Sequence, residues 1–187
     1  MANLKAIRLR ITSVRSTRQI TSAMKMVAAA KLRKAQDKIV RLRPYAGKLH
    51  EILVHLTQSL ADADIKNIYS RQESPEKILI VAITSNRGLC GAFNSNIIKY
   101  SIEQYKSISA RHPSARVTFY TLGKKGHEAL SRRGYNVIEL NHKMLDKPNI
   151  ENTKDIFNTL VNEFKHGSAD KIFLIYNMFK SAASQQQ

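Results

Sequence analysis

A chain of 187 residues with 43% apolar content has material for one packed domain of ordinary size plus an appendage, which argues against wholesale disorder. Its formal net charge of +17 is unevenly spread: residues 1–50 hold 13 Lys and Arg against the single acid Asp37, a surplus of +12, which leaves +5 for residues 51–187. The basic segment calls for an acidic partner (nucleic acid, an anionic membrane surface or an acidic protein face), and the lone Cys90 excludes both an intrachain disulfide and a cysteine framework for zinc.

In chain order, apolar residues recur at three- and four-residue steps through Leu4, Ile7, Ile11 and Val14, and again from Ala28 through Leu32, Ala35, Ile39, Leu42, Ala46, Leu49, Leu53 and Leu56 to Leu60. This pattern is a heptad seam on one helix spanning 1–62, and a seam asks for a partner helix. From Leu4 to Leu60 the helix would be a rod roughly 85 Å long at about 1.5 Å per residue, a length suited to holding parts apart or carrying force between them. Arg18, Thr21 and Lys25 fall on the seam where apolar residues belong, so pairing lapses there or another protein takes over that face. Met24-Lys25-Met26-Val27 and three alanines follow, a stretch that allows close approach and adaptable contact and equally suits a plain helix interior. Pro44 interrupts the backbone ladder but not the apolar register, which predicts a kink and no break.

Asp62 to Glu76 is polar, contains Ser74-Pro75 and reads as a linker. Beyond it strands and helices alternate. Strands are predicted at Lys77–Thr84, buried on both faces, and at Arg116–Leu122, Tyr135–Leu140 and Lys171–Tyr176. Helices are predicted from Asn96 to about Arg111, capped by Asn94-Ser95, from Gly123 to Arg133, closed by Gly134, and from Pro148 to about His166, ended by Gly167. This alternation implies a mostly parallel sheet over 76–180, with 181–187 a polar, frayed tail. The longest apolar run, Ile78–Ile83, is too short to span a bilayer, and the N-terminus shows no apolar core of the kind a signal peptide carries.

The best candidate for a phosphate cradle is the loop Ser85-Asn86-Arg87-Gly88-Leu89-Cys90-Gly91-Ala92-Phe93-Asn94, which joins the end of a parallel strand to a helix start. It matches neither nucleotide fingerprint, and it reads better as a tight turn in which Gly88 and Gly91 lie under a close-packed helix. Cys90 has no histidine near it in sequence, the six histidines are scattered without ligand spacing, and no triad or carboxylate pair emerges. The residues therefore point to a non-enzymatic scaffolding or force-bearing protein, with no catalytic residue, cofactor or metal. The alternative is a basic coiled-coil protein that binds nucleic acid and carries an α/β domain. Against it, the first 44 residues hold no aromatic side chain to stack on exposed bases.

Two motifs sharpen this reading. The stretch Ile7-Arg8, Ile11, Val14, Thr17 and Ile20-Thr21-Ser22-Ala23-Met24-Lys25-Met26-Val27-Ala28-Ala29-Ala30-Lys31-Leu32-Arg33-Lys34-Ala35-Gln36, continued by Arg43-Pro44-Tyr45-Ala46, resembles the N-terminal helix of the gamma subunit of F-type ATP synthases. The loop Asn86-Arg87-Gly88-Leu89-Cys90-Gly91-Ala92-Phe93-Asn94 resembles the D-R-G-L-C-G-x-x-N signature of that family, with Asn86 in place of Asp. The resemblance implies an α/β architecture: a long N-terminal coiled-coil helix plus a small, mostly parallel Rossmann-like domain. It implies a non-catalytic central rotor stalk that couples ion-driven rotation of the membrane ring to ATP synthesis or hydrolysis on the beta subunits. The implied partners are the alpha and beta subunits of the hexameric ring, the epsilon subunit and the c-ring, with no nucleic acid. Membrane association would come only through the complex, at the cytoplasmic face of a bacterial membrane. By analogy with the family Met24, Lys25 and Met26 lie in the coupling contact, and Arg8, Lys31 and Arg33 are candidates for further contacts. The family's chains continue into a second long helix that partners the first. Without it the seam is expected to self-associate or to rely on neighbouring subunits.

Overall fold

The computed structural model describes residues 3–62, 74–146, 148–181 and 184–186. The chain divides into two units, the first ending at residue 67 and the second beginning at 68. Most of the predicted linker, and Ala182, Ala183 and Gln187 of the predicted tail, lie outside the described residues.

The first unit is one helix, α1, Leu4–Asp62, of 59 residues. At about 1.5 Å per residue it is roughly 88 Å long. It runs through Pro44 without a break, because the proline costs one backbone hydrogen bond while the many residues on either side keep theirs. Hydroxyls reinforce it from within: Thr12, Thr17, Thr57 and Ser59 each donate to the carbonyl four residues back, at 2.8–3.0 Å. Among the described burial positions of α1 only Gln36 is even half-buried, so the apolar seam stands in water.

The second unit is three-layered. Strands β1 (Lys77–Ile83), β2 (Arg116–Leu122), β3 (Val137–Asn141) and β4 (Lys171–Ile175) form a parallel sheet in the order β3-β2-β1-β4. Helices α2 (Phe93–Arg111), α3 (Lys124–Arg132), α4 (Lys143–Asp146) and α5 (Ile150–Lys165) connect the strands. β1 is central, and Ile78 through Ala82 are buried, which is why its run is apolar without alternation. Ile78, Ile80 and Ala82 pack with Ile97, Ile98, Ile108 and Leu130 of α2 and α3. Leu79 and Val81 pack on the other face with Ile156 and Leu160 of α5 and Met144 of α4. Tyr105, Phe119 and Tyr135 form an aromatic triangle on the α2–α3 side, with ring centroids 5.0–5.6 Å apart. Asp170 closes the opposite end of the sheet: its Oδ2 accepts from the amides of Glu76 and Lys77 at 3.0 and 2.9 Å.

The α/β class and the strand–helix alternation agree with the sequence. Several boundaries do not. α2 starts at Phe93, with Ala92 as N-cap and no side-chain cap bond, because Asn94 is engaged elsewhere. β3 starts at Val137 and not Tyr135: the Tyr135 amide donates to Leu130 O at 3.2 Å and, with Gly134 N donating to Ser131 O at 3.0 Å, closes α3. Asn149, not Pro148, initiates α5, its Oδ1 accepting from Asn152 N at 2.8 Å. The short helix α4 was not anticipated. Nor was the pairing of β5 (Met178–Phe179) with β6 (Gln185–Gln186), which gives antiparallel order to part of the tail expected to fray.

Candidate functional site

β1 is where the strand order reverses. α2 and α3 carry the chain to β2 and β3 on one face, and α4 and α5 bring it back to β4 on the other. In open sheets of this kind ligands bind beyond the carboxyl ends of the strands at such a point. Here the chain fills that crevice with its own groups. Thr84, Ser85 and Asn86, the three residues after β1, meet the first three amides of α3 in antiparallel sequence. Thr84 Oγ1 accepts from Gly126 N at 2.8 Å, Ser85 O from Lys125 N at 3.2 Å and Asn86 Oδ1 from Lys124 N at 3.2 Å. The donors that an anion would use at a helix start are therefore already satisfied. Asn86 Nδ2 reaches on to His142 O at 2.9 Å and ties in the loop after β3. Asn94 holds the other side: its Oδ1 accepts from Ser85 N at 2.9 Å, and its Nδ2 donates to Arg87 O and Cys90 Sγ, both at 3.2 Å. Asn177 Nδ2, just past β4, donates to Phe93 O at 3.0 Å.

The geometry supports a turn, but the close approach lies elsewhere than expected. A Cβ on Gly88 or Gly91 would meet nothing within 4 Å. The crowded glycines are Gly123, where a Cβ would lie 2.2 Å from Thr84 O at φ +113°, and Gly126, where it would lie 2.7 Å from Thr84 Oγ1. Both allow α3 to press against the end of β1. The tip of the loop projects. Leu89 is fully exposed with φ +60°, a left-handed conformation that costs a non-glycine residue about 1–2 kcal/mol. Cys90 is exposed beside it. Among the described residues no three His, Cys, Asp or Glu side chains converge as a metal site would require.

The second candidate surface is α1. Arg8, Met24, Lys25, Met26, Lys31 and Arg33 are all exposed on it. At roughly 100° per residue they fall on three faces. Arg8, Met26 and Arg33 share one, Met24 and Lys31 a second, and Lys25 lies on the seam between them. No single flat partner could touch all six, whereas a partner that surrounds the rod could. At Arg18, Thr21 and Lys25 the seam is less polar than its sequence suggests. The Thr21 hydroxyl is turned back onto Thr17 O and Arg18 O, at 2.9 and 3.0 Å, and this internal bond leaves less polarity for a partner to satisfy. Lys48 and Glu51 form an exposed ion pair at 2.7 Å.

Comparison with known proteins bears on both surfaces. The family model described as ATP synthase matches residues 3–187. The ATP synthase gamma chain of Flavobacterium johnsoniae is 50% identical over 185 residues, covering 99% of this chain and 63% of its own length. That of Chlorobaculum parvum is 42% identical over 182 residues, covering 97% and 62%. The chain thus spans a little under two thirds of the length of these curated relatives. A structure of the central stalk and c-ring of the Tetrahymena thermophila mitochondrial ATP synthase aligns with a TM-score of 0.65 at 29% identity, covering 89% of this chain and 69% of that one.

Proposed function

This chain belongs to the gamma-chain family of ATP synthases, and from that premise we propose that it acts as a central rotor stalk. It couples ion-driven rotation of a membrane ring to ATP synthesis or hydrolysis on beta subunits, and contributes no catalytic residue itself. The observation that carries this reading is α1, a 59-residue cationic helix with its side chains in water along its length. Such a rod is suited to lie inside a ring of alpha and beta subunits, with the α/β domain beside the epsilon subunit and the c-ring.

The contacts must be many and individually weak. An exposed ion pair contributes about 0.2–1 kcal/mol, so a shaft held by a few can leave one catalytic subunit and engage the next at each third of a turn. Candidate residues on three faces suit that demand. Met24 and Met26 supply adaptable apolar contact, while Arg8, Lys25, Lys31 and Arg33 face acidic groups on the ring. Among the described residues no helix is long and apolar enough to cross a membrane. The protein then sits at the cytoplasmic face of a bacterial membrane through the complex alone.

The test is reconstitution with alpha and beta subunits. ATPase activity should appear in the complex and not in this chain alone, and Lys25→Glu with Arg33→Glu should lower ATP-driven torque. Unchanged torque would remove those residues from the coupling contact. ATP turnover by the chain alone would overturn the whole reading, as would DNA that displaces it from the ring subunits at physiological salt.

A further inference from the structure

The seam of α1 carries a charge code beside its apolar core. With Leu4 at heptad position a and Ile7 at d, the register holds unbroken to Leu53 and Leu56. The positions flanking such a seam, e and g, set which helix can lie against it. Here Arg8, Arg15 and Arg43 occupy e, and Arg10, Lys31 and Lys38 occupy g; every other e or g residue from Asn3 to Ser59 is uncharged or histidine. The acids within that span, Asp37 and Glu51, both fall at f, on the far side from the seam. Where the flanks turn neutral, between Thr17 and Ala29, the charge moves onto the seam itself as Arg18 and Lys25.

A second copy of the chain fits this surface badly. In a parallel pair, g of one heptad meets e of the partner's next. Arg10 would face Arg15 and Lys38 would face Arg43, each twice, while Arg18 and Lys25 would meet their own images inside the seam. In an antiparallel pair, whatever the register, the cationic flanks would meet flanks that hold no acid. We propose that the seam of α1 is a docking surface for a helix of different composition. That helix is apolar at its own a and d positions and acidic at the flanks opposite residues 8–15 and 31–43, and the same charges turn away a second copy of this chain. The proposal stands on the seam and does not depend on the rotor reading. It settles the choice between self-association and reliance on neighbours in favour of a neighbour.

The experiment uses the whole chain and two synthetic helical peptides with identical apolar a and d residues, one with Glu and one with Lys at every e and g. Fluorescence anisotropy should show the Glu peptide binding on the order of a hundredfold more tightly at low salt. The preference should shrink at about 1 M salt, where charges are screened beyond roughly 3 Å. Sedimentation of the chain alone at about 10 µM should show no stable dimer. The variant Arg10→Glu, Arg15→Glu, Lys38→Glu, Arg43→Glu changes exposed positions only and should bind the Lys peptide in preference. Equal binding of the two peptides, binding of neither, or a stable dimer of the unmodified chain at physiological salt would each overturn the proposal.

Discussion

Thr84 and Gly126 should behave as one unit, and a double-mutant cycle measures this. Thr84 is 1% exposed, and its hydroxyl accepts the Gly126 amide at 2.8 Å. Thr84→Ala leaves that amide without its acceptor, at about 1–3 kcal/mol, and also loses methyl packing of about 1 kcal/mol. The single substitution should lower the unfolding midpoint of the sheet domain by roughly 8–15 °C. Gly126→Ala alone pushes a Cβ to 2.7 Å from Thr84 Oγ1 and 2.9 Å from Cγ2. Overpacking of about 1–3 kcal/mol then outweighs the roughly 1 kcal/mol gained in helix propensity. With Thr84 already alanine, the nearest remaining Thr84 atom is Cβ at 3.4 Å, an ordinary contact. There Gly126→Ala should be neutral, or stabilising by up to about 1 kcal/mol, so the sign of one substitution depends on the other. Urea unfolding followed by tyrosine fluorescence suits the measurement, because Tyr105, Tyr120 and Tyr135 pack in the sheet domain's core clusters. Additive effects, with coupling below about 0.5 kcal/mol, would refute the packing argument.

Asn94→Ala should speed amide hydrogen exchange across residues 85–93, since one side chain holds Ser85 N, Arg87 O and Cys90 Sγ; unchanged exchange would mean the turn holds itself. Leu89→Asn should raise stability by about 1 kcal/mol in the same urea experiment, because Asn tolerates the left-handed region better and the exposed leucine loses no packing. Glu128 is held below the ordinary glutamate range, first by its hydrogen bond from Lys125 and then by the charges of Lys125 and Arg132. Because the folded pKa is depressed, whatever the pair contributes is present above the unfolded pKa and is lost as pH falls through the folded one. Carboxyl NMR should show Lys125→Gln moving the Glu128 titration upward, and an unmoved titration would contradict the assignment.

The parts of the fold that depend on burial were legible. Ile78–Ala82 could only be a strand covered on both faces, and the seam of α1 followed from three- and four-residue spacing alone. The parts that depend on long-range choice were not. Asn94-Ser95 carries a local helix-cap signature, but the Asn94 side chain finds better partners nine and seven residues back, at Ser85 and Arg87. Gly88 and Gly91 stand in the conspicuous motif and lie in open space. Gly123 and Gly126 are crowded only because β1 ends at Thr84 in register with the start of α3, which spacing cannot reveal. Tyr135 has strand propensity, but its amide closes a helix and its ring completes an aromatic triangle. The candidate shaft residues came from resemblance, and their division over three faces follows from α1 continuing unbroken past Pro44.

The two units draw their stability from opposite sources. In the sheet domain apolar side chains are removed from water by the chain itself, and the starts of α3 and α5 are capped by named side-chain groups. α1 has neither device: Leu9, Ile11, Val14, Leu42 and Leu53 are each more than half exposed. Helix nucleation is unfavourable, and most helical stability in proteins comes from packing an apolar face. Ordering α1 and covering its seam are therefore one equilibrium, and a partner that binds only the ordered helix stabilises it in proportion to the logarithm of its concentration. A substitution on the seam should then register first as lost affinity, whereas one at Thr84 should register as lost stability at any partner concentration. A rod stiffened by the surfaces that grip it carries load when held and makes no packing contacts when it is not.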